Sequence, residues 1–145
     1  MLQLVRLFPI VACILAFYFA SGMAPYSMAE SPKTCTTAEA RRARQEARHL
    51  EDWKGAYESF RRFGRCDRGQ VAEEYSYAIG RLLAYDWEHV RLLLQFGAQD
   101  QNFKQFVLQH IDENIPEEET QLIIRNARQR CPSDGDWLCK SIVDY

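Results

Sequence analysis

Between Thr36 and Ile142, apolar positions recur every three or four residues, the repeat of one helix face turned toward a core. Ala40, Ala43, Ala47 and Leu50 form the first stripe, and its small side chains would let a neighbouring helix approach closely. A second stripe holds Trp53, Ala56, Tyr57, Phe60 and Phe63, and a third Val71, Tyr75, Ala78, Ile79 and Leu82. The fourth carries Trp87, Val90 and Leu94; the fifth Phe103, Phe106, Val107, His110 and Ile111; the sixth Leu122, Ile123 and Ala127. Trp137, Leu138 and Ile142 suit a short last turn. No run sustains period-two alternation, so no strand is expected.

The ends of these stripes carry helix punctuation. Thr36-Thr37-Ala38-Glu39 is a capping box, in which a hydroxyl accepts from a free N–H while the glutamate reaches back. Asp52, Asp67, Asp86, Asp100 and Asp136 each stand where an acidic N-cap would, and Gln70 follows Asp67 at the third position. Pro116 suits a helix start. Glu117, Glu118 and Glu119 lie where the positive end of the dipole favours acids, and Arg125, Arg128 and Arg130 complement the other end. Three of the acids precede a tryptophan: Asp52-Trp53, Asp86-Trp87 and Asp136-Trp137. The first two pairs open parallel segments, Asp52-Trp53 to Phe63-Gly64 to Asp67 and Asp86-Trp87 to Phe96-Gly97 to Asp100, with one residue deleted. The spacing is close to a tetratricopeptide period, but that family's pattern of Trp, Leu-Gly, Tyr, Ala and Pro positions is not reproduced. The expected fold is all-α: stacked antiparallel helical hairpins, about six helices plus a short C-terminal turn, with the three tryptophans as core anchors.

The N-terminus reads differently. Arg6 is the only charged residue before Glu30, and an apolar run extends from Leu7 to Ala20. That run is shorter than the roughly 20 residues of a membrane span and matches the apolar region of a secretory signal. Ser27-Met28-Ala29 supplies small residues at the positions a signal peptidase reads, so residues 1–29 are expected to be a signal peptide and 30–145 a single helical domain. Ile10-Val11-Ala12-Cys13 faintly resembles a lipobox, but the apolar run continues past Cys13, so lipidation is not expected. The remaining cysteines are Cys35, Cys66, Cys131 and Cys139, an even number that suits disulfides in a small exported domain. No CxxC occurs, which removes thioredoxin-type redox and common zinc-knuckle readings. Antiparallel first and second helices would bring Cys35 to Cys66. The Cys131-Pro-Ser-Asp-Gly-Asp turn would bring Cys131 to Cys139. Each loop would restrict the unfolded chain by about 3 kcal/mol in the chain-entropy picture.

Composition adds limits. The chain has 145 residues, 47% hydrophobic and 26% charged, which excludes disordered, collagen-like and low-complexity classes. The formal charge is −2, and loss of Arg6 makes it one unit more negative, so there is no bulk drive toward nucleic acid. Arg41, Arg42, Arg44 and Arg48 form the densest basic segment, with Glu39 and Glu46 interleaved at pairing distance, so a salt-bridged solvated helix is expected. The acidic run from Asp112 to Glu119 reads as part of the sixth helix's start. His49, His89 and His110 show no metal spacing, and His110, on an apolar face, reads as a hydrogen-bonded core residue. Glu73-Glu74 and Asp86/Glu88 are the paired carboxylates that acid–base chemistry could use. No Ser–His–Asp context, G-x-S-x-G or phosphate-binding glycine loop is present. No catalytic, cofactor-binding or metal-ligating residue is therefore assigned, and no cofactor is expected.

The order Cys-Thr-Thr (35–37), Asp-Trp (52–53), Cys-Asp (66–67), Asp-Trp-Glu-His (86–89) and Arg-Cys-Pro (130–132) resembles small exported hypothetical proteins of bacterial genomes. The resemblance implies bacterial export and carries no catalytic or binding residue. The expected function is a non-enzymatic binding module of the bacterial envelope or periplasm whose partner is another exported protein. It would bind no nucleic acid and keep no membrane span after signal cleavage. An inhibitor or immunity-type protein directed at a secreted enzyme is one alternative; a cell-wall hydrolase using Glu73 and Glu74 is the other.

Overall fold

A computed structural model describes residues 34–144. The expected signal peptide lies outside the described residues. Among the described residues, seven α-helices follow in order: α1 (Thr37–Ala47), α2 (Trp53–Phe63), α3 (Gln70–Tyr85), α4 (Val90–Gln99), α5 (Gln101–Gln109), α6 (Glu117–Gln129) and α7 (Asp136–Val143). Short 3₁₀ turns cover Gly64–Cys66 and Trp87–His89, and no strand occurs among the described residues. The all-α expectation holds, with the last "turn" long enough to be a two-turn helix.

The longest helix, α3, is the hub. It packs against α1 on one side and α6 on the other; α7 lies on α6, and α2 joins α1 to the α4–α5 pair. Two devices fasten α3. Gly80 lets the chain before α6 come close: a Cβ there would sit 2.9 Å from two side-chain carbons of Ile115. The buried Asn126 of α6 donates from Nδ2 to the carbonyls of Leu83 and Ala84, both at 3.1 Å, satisfying acceptors that a helix C-terminus leaves open. Where α2, α4 and α5 converge, aromatic rings fill the core: Tyr57 stacks on Phe96 at 4.6 Å, and Phe106 meets Phe60 at 5.0 Å and Tyr75 at 4.9 Å.

The disulfides are the expected ones. Cys35–Cys66 ties the start of α1 to the end of α2, and Cys131–Cys139 ties the end of α6 to α7. Among the described residues, no helix is long and apolar enough to cross a membrane.

The caps divide. Thr36 and Glu39 form the full capping box. Asp52 accepts from the N–H of Gly55 at 2.6 Å, and Asp100 from those of Asn102 and Phe103 at 3.0 and 3.2 Å. The other three acids do not cap. Helix α3 starts after Gly69, whose φ of +53° favours glycine, and Asp67 turns away toward His110. Asp86 precedes a 3₁₀ turn rather than an α-helix and accepts from His89 Nδ1 at 2.6 Å. Asp136 is itself the first residue of α7 and pairs with Lys140 at 3.2 Å. The two repeated segments therefore keep one working cap each, at opposite ends. In each failed position the carboxylate meets an imidazole or an ammonium instead of a backbone N–H.

The tryptophans divide too. Trp53 and Trp87 are buried core residues, as expected. Trp137 is only half-buried and lies beneath the Lys104 ammonium, 4.8 Å from the ring centre. The two-turn α7 buries Leu138, Cys139 and Ile142, which leaves Trp137 at the edge of that face.

Candidate functional site

Among the described residues, four chemically capable side chains form a largely buried polar chain. Ser76 projects from α3, His110 ends α5, Asp67 stands in the α2–α3 link, and Asp112 follows α5. Ser76 Oγ is 2.9 Å from His110 Nδ1 and 2.8 Å from Asp112 Oδ2, while His110 Nε2 is 3.1 Å from Asp67 Oδ2. His110 is thus the hydrogen-bonded core residue its apolar surroundings suggested. Serine has a single hydroxyl proton, and ionised carboxylates only accept. The carbonyl of Ala72, 3.2 Å away, and the Asp112 carboxylate compete for that proton, and Asp67 Oδ1 is buried with no partner among the described residues.

These residue types are those of a nucleophilic triad. The sequence shows no such motif, yet the fold assembles one from positions 34 to 43 residues apart. The geometry withholds the chemistry. Ser76 has 0% exposure and its hydroxyl is enclosed by Ala72, His110 and Asp112, so no substrate atom can reach it. The chain therefore acts as a polar clasp joining α3, the α2–α3 link and the end of α5. The one sequence signal was His110 itself, a polar residue on an apolar stripe that needed partners for two nitrogens.

The paired carboxylates separate. Glu74 accepts from Arg44 Nε at 3.1 Å and from Arg48 Nε at 2.7 Å. The hydrogen bond from Arg48, with a further one from Arg44, holds its carboxyl below the ordinary carboxylate value, the opposite of what a general acid needs. Glu73, its neighbour, points to solvent. Asp86 binds His89, and this hydrogen bond with the adjacent negative charge raises the His89 imidazole above its ordinary value; Glu88 is exposed. His49 Nδ1 lies 2.8 Å from the carbonyl of Gln45, a partner at the end of α1. Cys35, Cys66 and Glu39 bring three potential metal-binding atoms within 4.8 Å of one another, but the S–S bond consumes both thiolates.

The charged groups of the arginine-rich α1 pair across helices rather than along it, contrary to the expected interleaved pairing. Glu39 takes Arg65 and Glu46 takes Arg62, while Arg44 and Arg48 share Glu74 of α3. The acids point toward the neighbouring helices, whose guanidinium groups reach them before those of α1.

One surface stands out. Helix α3 is buried on most sides, yet Tyr77 is 44% and Tyr85 63% exposed, with Arg81 between them one turn from each. Arg81 donates to the carbonyl of Leu50 at 3.1 Å and so ties this stripe to the α1–α2 turn. Arg48, His49, Leu50, Glu51, Arg81 and Tyr85 border a shallow concavity of ≈ 510 Å³ there. Comparison with known protein families, curated proteins and solved structures found no match to this chain.

Proposed function

We propose that the chain is an exported, non-enzymatic binding module that presents the outer stripe of α3 to another exported protein in the bacterial envelope or periplasm. The observation that carries this reading is the exposure of two large aromatic side chains, Tyr77 and Tyr85, on the central helix, most of whose apolar residues are buried. Tyrosine and arginine are the residue types that anchor protein interfaces, combining large apolar area with a polar tip. The two disulfides suit an oxidising compartment, in keeping with the N-terminal signal pattern. The sealed Ser76 and the doubly paired Glu74 favour binding over catalysis, the cell-wall hydrolase reading included.

The test compares the oxidised wild-type protein with a Tyr77→Ser/Tyr85→Ser variant as bait in periplasmic extract. Both positions are exposed, so the variant should melt within about 2 °C of wild type, in line with surface changes of under about 0.5 kcal/mol. A partner retained by wild type and lost by the variant supports the reading. Should that partner be a secreted enzyme whose rate falls on binding, the module is an inhibitor or immunity-type protein. Identical retention by both baits, or hydrolysis of cell-wall polymers abolished by Glu73→Gln, overturns it.

A further inference from the structure

Charge on α1 is not fully compensated by the fold. With Glu39 and Glu46 both drawn to α2 and the turn after it, Arg41 has no carboxylate partner among the described residues. Arg41 and Arg44, one turn apart, line a concavity of ≈ 320 Å³ where α1 meets the beginning of α3. Arg68 enters from the opposite wall, its one described contact a long 3.4 Å bond to the carbonyl of Arg65. The rest of the lining among the described residues is Thr37, Ala40, Gln70 and Val71, so three guanidinium groups meet at one small space, Arg44 paired with Glu74 and Arg41 and Arg68 with no carboxylate partner among those residues. This occurs on a chain whose net charge is negative.

We propose that this notch is a binding site for an oxyanion of the phosphate class. Guanidinium forks match phosphate oxygens two at a time, and Arg41 and Arg68 supply two such forks beside Arg44, whose charge Glu74 already offsets. Arg44 is held in place beforehand. Its Nε is on Glu74 at 3.1 Å and its Nη1 on Gln70 Oε1 at 2.9 Å, so little side-chain freedom is lost when a ligand arrives. The Thr37 hydroxyl can donate to a remaining oxygen, and Ala40 and Val71 give an apolar wall to whatever the phosphate is attached to. The site is separate from the tyrosine stripe and does not depend on the protein-partner reading.

The ligand's source is either a soluble phosphate compound or a phospholipid headgroup, and the probes separate them. Pyrophosphate is titrated into the oxidised full-length protein by calorimetry in low salt. Phosphatidylglycerol and phosphatidylcholine vesicles are then tested by co-sedimentation. Saturable pyrophosphate binding is expected, weakened about tenfold by Arg41→Ala and by Arg68→Ala, the loss of one charge-assisted contact. Arg42→Ala, on the same helix but outside the notch, should stay within about twofold. All three side chains are exposed, so unchanged melting temperatures confirm folded variants. Retention on phosphatidylglycerol vesicles that Arg41→Ala and Arg68→Ala abolish identifies a lipid headgroup; pyrophosphate binding without vesicle retention identifies a soluble ligand. Absence of saturable binding to either probe, or equal weakening by all three substitutions, overturns the proposal, because diffuse charge would not discriminate among them.

Discussion

Trp53 and Trp87 hold equivalent places in the internal repeat, are both buried, and differ in one respect that mutation can read. The indole N–H of Trp87 donates to the carbonyl of Arg130 at 3.1 Å, joining the 3₁₀ turn before α4 to the end of α6. The indole N–H of Trp53 is buried and has no hydrogen-bond partner among the described residues. Replacing either ring with phenylalanine removes the same atoms, so the lost packing largely cancels when the two variants are compared. The polar consequence does not cancel. Trp87→Phe removes this part-buried hydrogen bond and should cost about 0.5–1.5 kcal/mol beyond the packing loss. Trp53→Phe removes a donor whose unpaired burial opposes folding, and so recovers part of its packing loss. Trp53→Phe should therefore be the more stable variant by about 2 kcal/mol, from the two opposed polar contributions. At about 4 °C per kcal/mol for a domain of this size, its melting temperature should lie roughly 8 °C above that of Trp87→Phe. Thermal and urea unfolding followed by circular dichroism, with disulfides intact, measures both. A Trp53→Phe variant that melts at or below Trp87→Phe would show that the two indoles are equally well served and that the assigned partners are wrong.

Two further outcomes follow from the polar contacts. Ser76→Ala removes the hydroxyl between His110 Nδ1 and Asp112 Oδ2 and should destabilise by about 1–3 kcal/mol, since a buried donor and acceptor lose their bridge; an unchanged urea midpoint would contradict the clasp. Glu74, whose carboxyl is held below its ordinary value of 4.5 by Arg48 and Arg44, contributes stability that is present above that pH and is lost as pH falls through the lowered folded value. Glu74→Gln should therefore flatten the acid side of the stability profile below about pH 4.5, and unfolding midpoints that fall as steeply as wild type would sink the assignment.

Secondary structure was legible because its causes are local. The stripes at Ala43, Trp53, Ile79, Phe103 and Ile123 each state a helical period and the face it buries, and all five side chains are in the core. The capping box at Thr36 and Glu39 was legible for the same reason, since donor and acceptor lie within one turn. The disulfides were legible one step further out, because antiparallel hairpins put helix ends of adjacent elements together. Asp67, Asp86 and Asp136 show where local reading stops. An aspartate before a helical stripe satisfies the cap pattern, but its carboxylate goes to the strongest donor within reach. For Asp67 that donor is His110, 43 residues away.

The candidate sites belong almost wholly to that second category. The sequence by itself determined the helices, their buried faces, the cysteine pairing and the requirement that His110 find partners. Tertiary packing alone decided that Ser76 and Asp112 would supply one partner chain and Asp67 the other, and that Ser76 would be sealed. It also decided that Glu39 and Glu46 would leave the arginines of α1 for those of α2 and the turn beyond, so that Arg41, Arg44 and Arg68 face one cavity. Backbone periodicity is set by neighbours within four residues, whereas a charged or hydrogen-bonding side chain chooses among every group that packing brings within about 3 Å.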